Sequence, residues 1–109
     1  AAESHVTWQR EIVEGDPYII TSQVLAWDDK RIHQFQRMYH ASEGFLVATC
    51  EWMNLHFNPA LRRVAPWPEE IRARIANFTD NQGQHPWPEE AGRRMHVKQP
   101  TFSMRPETL

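Results

Sequence analysis

The chain has little of several things, and each shortage narrows what it can be. One cysteine, Cys50, stands in 109 residues. No internal disulfide is possible, and a reducing compartment such as the cytoplasm is expected. Four glycines are too few for a phosphate-cradling loop, and neither Gly-x-Gly-x-x-Gly nor Gly-x-Ser-x-Gly occurs. No apolar run approaches the length of a membrane span, and no signal-peptide pattern opens the chain. Charge of one sign is missing too: 12 Lys and Arg face 14 Asp and Glu, a net charge of −2. Such a balance argues against nucleic acid or an anionic membrane as partner. The six histidines include no His-x-x-x-His pair and no Cys/His cluster at zinc spacing, so no metal is expected. No other cofactor is implied.

What is present is a one-domain chain with 40% hydrophobic residues, enough for a core. Residues 17–27 are rich in β-branched and aromatic side chains. Asp28-Asp29 reads as a two-residue turn, residues 30–41 as a second strand, 42–44 as a turn and 45–57 as a third strand. Residues 3–9 read as one more strand. Beyond Pro59 the pattern changes. Pro68-Glu69-Glu70 is a helix start, followed by Ile71, Ile75 and Phe78 on one stripe and a stop at 81–83. The same Pro-Trp-Pro-Glu-Glu string at 86–90 predicts a second, short helix ending near Gly92. The expected fold is α+β: an antiparallel curved sheet of about four strands within 1–65, a helical extension over 66–96 and an extended tail over 97–109.

With two-residue turns, Gln23, Gln34 and Glu51 form a polar row across three strands. Apolar rows lie beside it, built from Ile19, Leu25, Ile32, Met38, Val47 and Met53. His33 then falls on the opposite face. The polar row is either a solvated sheet face or the floor of a pocket with Glu51 as its carboxylate. Cys50, mid-strand, reads as a small buried thiol rather than a nucleophile. Five tryptophans suit packing at sheet ends or an interface, and less readily an aromatic box for a quaternary ammonium.

Four segments carry a resemblance: Glu-Ser-His-Val at 3–6, Glu-Gly-Asp at 14–16, Gln-Val-Leu-Ala-Trp-Asp-Asp-Lys-Arg-Ile-His at 23–33 and Ala-Thr-Cys-Glu-Trp-Met-Asn-Leu-His at 48–56. Over residues 3–75 the chain resembles the hot-dog thioesterases of the 4-hydroxybenzoyl-CoA thioesterase type, and among them the betainyl-CoA thioesterases of carnitine degradation. The resemblance implies a curved sheet wrapped on a long helix, with the family's first strand and that helix lying outside this chain. Its Asp-Tyr-Asn-Gly-His-like stretch, which carries the family's catalytic Asp, has no counterpart here. No catalytic residue is therefore carried over.

The resemblance further implies that residues 3–9 lie beside 45–57 and pair with a second subunit in a homodimer or higher oligomer. Glu3 and His5 then fall near an acyl-CoA site at that junction. The expected substrate-binding set is Glu51, Gln34, Gln23, Glu3 and His5. The expected function is hydrolysis of a small acyl-CoA, with betainyl-CoA as one acyl group. The alternative is a non-catalytic ligand-binding or oligomerisation module built on the same sheet.

Overall fold

The computed structural model describes residues 2–92 and 95–106. Four strands make up its centre: β1 (Glu3–Trp8), β2 (Tyr18–Trp27), β3 (Arg31–His40) and β4 (Leu46–Leu55). A short hairpin comes next, β5 (Phe57–Asn58) with β6 (Arg63–Val64), then the helix α1 (Glu69–Gln82) and a short strand β7 (Phe102–Ser103). The main sheet runs β1-β4-β3-β2-β7, and every pairing in it is antiparallel. The expected placement of residues 3–9 beside the third long strand holds, with His5 opposite Glu51. The α+β class holds as well.

The register differs from the expected one, and the loops explain why. The first hairpin loop is longer than two residues. Asp28 accepts hydrogen bonds from the N–H groups of Lys30 and Arg31 through Oδ1, which holds 28–31 as a side-chain-closed turn. Trp27 therefore pairs with Ile32, not Lys30. A bulge between Val24 and Ala26 then shifts the pairing again. The second loop spans 41–45 and contains Gly44, whose φ of 79° favours glycine. A further irregularity lies at Met38 and Tyr39.

The expected and observed registers differ by one residue between β2 and β3, and by one between β3 and β4. The two shifts cancel across the sheet, so β2 and β4 keep their expected facing while β3 is turned over. Phe35, not Gln34, stands between Gln23 and Glu51.

One face of the sheet thus carries the rows His5–Glu51–Phe35–Gln23 and Glu3–Met53–His33–Ala26. The bulge sets Leu25 on this face beside Ala26, so two consecutive apolar residues pack beneath the strap, each in its own cluster. Residues 87–92 and 95–97 lie across the face and close it. Ala91 and Trp87 pack on Leu25 and Phe35, and Met95 and Val97 pack on Ala26 and Met53. This strap covers Leu25 and Met53, two members of the expected apolar rows. Among the described residues the expected second helix is absent. Pro88 accepts from the Ala91 N–H in a single turn, and the Trp87 indole N–H donates to the Ala91 carbonyl. The three residues between Pro88 and Gly92 are too few to nucleate a helix.

The helix α1 forms where expected, with Pro68 preceding it and Glu69 and Glu70 in its first turn. Its inward stripe is Arg72, Ile75, Ala76, Thr79 and Gln82, whereas Ile71 and Phe78 are exposed. The reason is how it attaches to the side of β2. Arg72 lies over the Trp27 ring, and the Gln82 amide binds both the N–H and the carbonyl of Val24. These polar contacts cover one edge of β2; β7 covers it further along, at Ala26 and Trp27. The stretch expected as a loose tail therefore contributes a strand; residues 107–109 lie outside those described.

Candidate functional site

The closed face holds a buried polar cluster in an apolar setting. Glu51 is 1% exposed and His33 is 1% exposed. The two side chains come from diagonal positions on β4 and β3, and their separation is 2.6 Å between Nε2 and Oε2. The same Oε2 accepts the Gly92 N–H from the strap at 2.8 Å. Gly92 has φ 79°, a conformation that suits glycine at the turn that presents this N–H. Trp87 meets the His33 ring edge-on, with centroids 6.1 Å apart. His5 on the edge strand places Nδ1 3.8 Å from Oε1, the second oxygen of Glu51. That Oε1 is buried and has no hydrogen-bond partner among the described residues.

Burial pushes the Glu51 carboxyl up. The hydrogen bonds from His33 and the Gly92 N–H, with the positive charge of His33 and His5 facing it, more than offset that, and the group lies below the ordinary carboxylate range. Glu51 is therefore a charged acceptor at neutral pH. Such a low-pKa carboxylate suits binding and orientation better than general-base work, which favours a pKa near the working pH.

Three of the other expected site residues share this face. His5 is directly opposite Glu51, Gln23 lies two strands away in the same row, and Glu3 begins β1 opposite Met53. The Gln23 amide nitrogen is buried with no partner among the described residues. Gln34 is the correction. It lies on the opposite face, where its carbonyl oxygen accepts from the Asn54 amide at 2.9 Å, because β3 is turned over relative to the two-residue-turn register. For the same reason the sequence reading missed His33. The signal that could have found it is Asp28, whose side chain lengthens the first turn. Gly92 and Trp87 were missed because the strap was read as helix.

Cys50 is on the open face. It is half-buried rather than buried as expected, and burial first, then the Glu51 charge, pushes its thiol up, which disfavours the thiolate. Among the described residues no group of three His, Cys, Asp or Glu side chains is placed to hold a metal ion. No helix among them is long and apolar enough to cross a membrane.

The curved antiparallel sheet and its strand order already match the expectation from residues 3–75, and comparison with known proteins decides the matter. The profile of the Thioesterase-like superfamily matches residues 1–75. The chain belongs to the Thioesterase-like superfamily, and its fold is of the hot-dog type. It is 34% identical over 97 residues to the L-carnitine dehydrogenase/betainyl-CoA thioesterase of Rhizobium meliloti, a match covering 89% of this chain and 19% of that protein. It is 32% identical over 91 residues to the betainyl-CoA thioesterase of Pseudomonas aeruginosa, covering 84% of this chain and 57% of that one. Among solved structures, a hypothetical protein of Staphylococcus aureus in complex with CoA superposes with a TM-score of 0.78 at 31% identity. That superposition covers 88% of this chain and 60% of the other. The chain thus spans less than two thirds of the length of each of these relatives.

Proposed function

We propose that this superfamily member belongs to a cytoplasmic enzyme that hydrolyses a small acyl-CoA thioester. The observation that carries the reading is the similarity to a CoA-complexed protein at 31% identity, joined to the two betainyl-CoA thioesterase relatives. Residues from the sheet are assigned to receiving the acyl group. Glu51 supplies a fixed negative charge, His5 neighbours its unpartnered oxygen at the edge strand, and Gln23 adds a buried amide in the same row. Glu3 flanks them at the start of β1. Gln34, on the other face, drops out of this set. His33 joins it as the residue that orients Glu51.

A cationic acyl group suits this set. An anionic side chain held in a low-dielectric environment attracts a quaternary ammonium more strongly than it would in water. Betainyl-CoA is the matching substrate, and 3,3-dimethylbutyryl-CoA is its uncharged isostere. β1, at one end of the sheet with no further strand beside it among the described residues, is where a second copy pairs in a homodimer.

The test is thiol release from a panel of short acyl-CoAs. Turnover with a kcat/KM preference for betainyl-CoA over its uncharged isostere supports the whole reading. Turnover without that preference removes the cationic acyl group. Binding of CoA without any turnover leaves a non-catalytic ligand-binding module. Light scattering in solution tests the dimer.

A further inference from the structure

A second polar site lies at the start of β3, where the first hairpin turn leads into the strand. The 28–31 turn and the 98–101 stretch line an open cavity of about 440 Å³. Five charged residues line it: Asp28, Asp29, Lys30, Arg31 and Lys98. The charges are not equally available. Asp28 takes two backbone N–H groups on Oδ1 and faces the Arg31 guanidinium at 3.5 Å through Oδ2. Asp29 is bound by Arg72 from α1 at 3.2 Å. Both carboxylates are thus answered by arginines. Lys30 and Lys98 make no ion pair among the described residues, and both are exposed. The cavity therefore presents two ammonium groups to an incoming anion, with the Thr101 hydroxyl on the same wall.

We infer that this cavity seats phosphate groups of a CoA thioester, with Lys30 and Lys98 as their counter-charges. The inference rests on the thioesterase reading for the identity of the ligand and goes beyond it in placing the nucleotide end. Position supports it. Phe35, the residue opposite Glu51, is five residues along the chain from Lys30, about 16 Å at the rise of a strand. An extended pantetheine arm bridges a gap of that order between a thioester and its diphosphate. The strap that closes the acyl end also supplies the phosphate end: Gly92 binds Glu51, and Lys98 comes six residues later. Lysine acts on phosphate as a point charge, which needs no fixed fork of donors.

Equilibrium binding of CoA, pantetheine and inorganic pyrophosphate to the protein and to Lys30→Ala/Lys98→Ala tests this. The expected result is tighter binding of CoA than of pantetheine, and a loss of about tenfold in CoA affinity in the double variant with pantetheine unchanged. Lys30→Arg/Lys98→Arg restores CoA binding, and added salt weakens CoA more than pantetheine. Equal affinity of wild type and double variant for CoA overturns the inference, as does wild type that fails to bind CoA or does not distinguish it from pantetheine. Pyrophosphate binding as tightly as CoA overturns the CoA assignment in favour of a free-anion site. Lysine-dependent CoA binding without turnover leaves the phosphate site standing and removes the thioesterase reading.

Discussion

The two faces of the sheet are made from alternate residues of the same four strands, yet they differ in kind. One carries Leu25, Phe35, His33, Glu51 and Met53, all nearly inaccessible, beneath the strap that bears Trp87, Ala91, Met95 and Val97. The other carries a row of Trp8, Ala48, Met38 and Ile20, in which Trp8 is 72% exposed. The closed face is the one that holds a charge. An ionised carboxylate survives there because His33 and the Gly92 N–H answer it within the same apolar surroundings. The open face holds a chain of neutral polar groups: the Trp52 indole N–H donates to Gln36, and the Gln36 amide donates to Ser22. Burial and the charged side chain thus coincide on one side of the sheet.

The largest effects should fall on the closed face. Glu51→Ala removes one member of a buried hydrogen-bonded pair and should destabilise the protein by about 3–5 kcal/mol. Phe35→Ala leaves a cavity beneath Ala91 and should cost a similar amount, about 3–5 kcal/mol. Urea unfolding of the two variants measures both. Losses near zero would mean that the strap is not seated on this face.

Next in size is the edge contact of α1. Gln82→Ala frees the Val24 N–H and carbonyl from their side-chain partner and should cost about 1–2 kcal/mol by the same measurement.

A pH dependence should arise from Glu51, whose carboxyl lies below its ordinary value in the folded state. A depressed carboxyl contributes stability above its unfolded pKa, and that contribution is lost as pH falls through the folded one. The stability gap between wild type and Glu51→Gln should therefore be widest near neutral pH and shrink on acidification. A gap that stays constant would show that Glu51 is not ionised in the fold.

The smallest effect should be on the open face. Trp8→Ala should change monomer stability by no more than about 0.5 kcal/mol. A loss as large as that of Phe35→Ala would abolish the distinction between the faces.

Much of the fold is legible in the sequence. The strands, the helix start at Pro68 and the facing of Glu51 with Gln23 come from β-branched runs, proline placement and alternation. The placement of residues 3–9 beside 45–57 comes from the family resemblance, whereas the register that sets His5 opposite Glu51 is visible only in the structure. What stayed hidden was β3. Its facing depends on two loops, one lengthened by the Asp28 side chain and one closed on Gly44, and on a bulge that no hydropathy pattern marks. A one-residue shift was enough to hide His33 from Glu51 and to put Gln34 in its place. The strap was hidden because Pro-Trp-Pro-Glu-Glu starts a helix at 66–70 and fails to at 86–90. The residues C-terminal to each string decide between the two outcomes. The first string runs into a helix of 14 residues, whereas the second meets Gly92, at φ 79°, within a single turn of Pro88.

The central claim is that the charge on the closed face selects the acyl group of a thioester. Its most direct test is kcat/KM for betainyl-CoA and for 3,3-dimethylbutyryl-CoA, with wild type and Glu51→Gln compared where both are folded. The account predicts that wild type prefers the cationic acyl group and that Glu51→Gln loses this preference, mainly through KM for betainyl-CoA. Equal kcat/KM for the two substrates in wild type, or a preference that survives in Glu51→Gln, would contradict it.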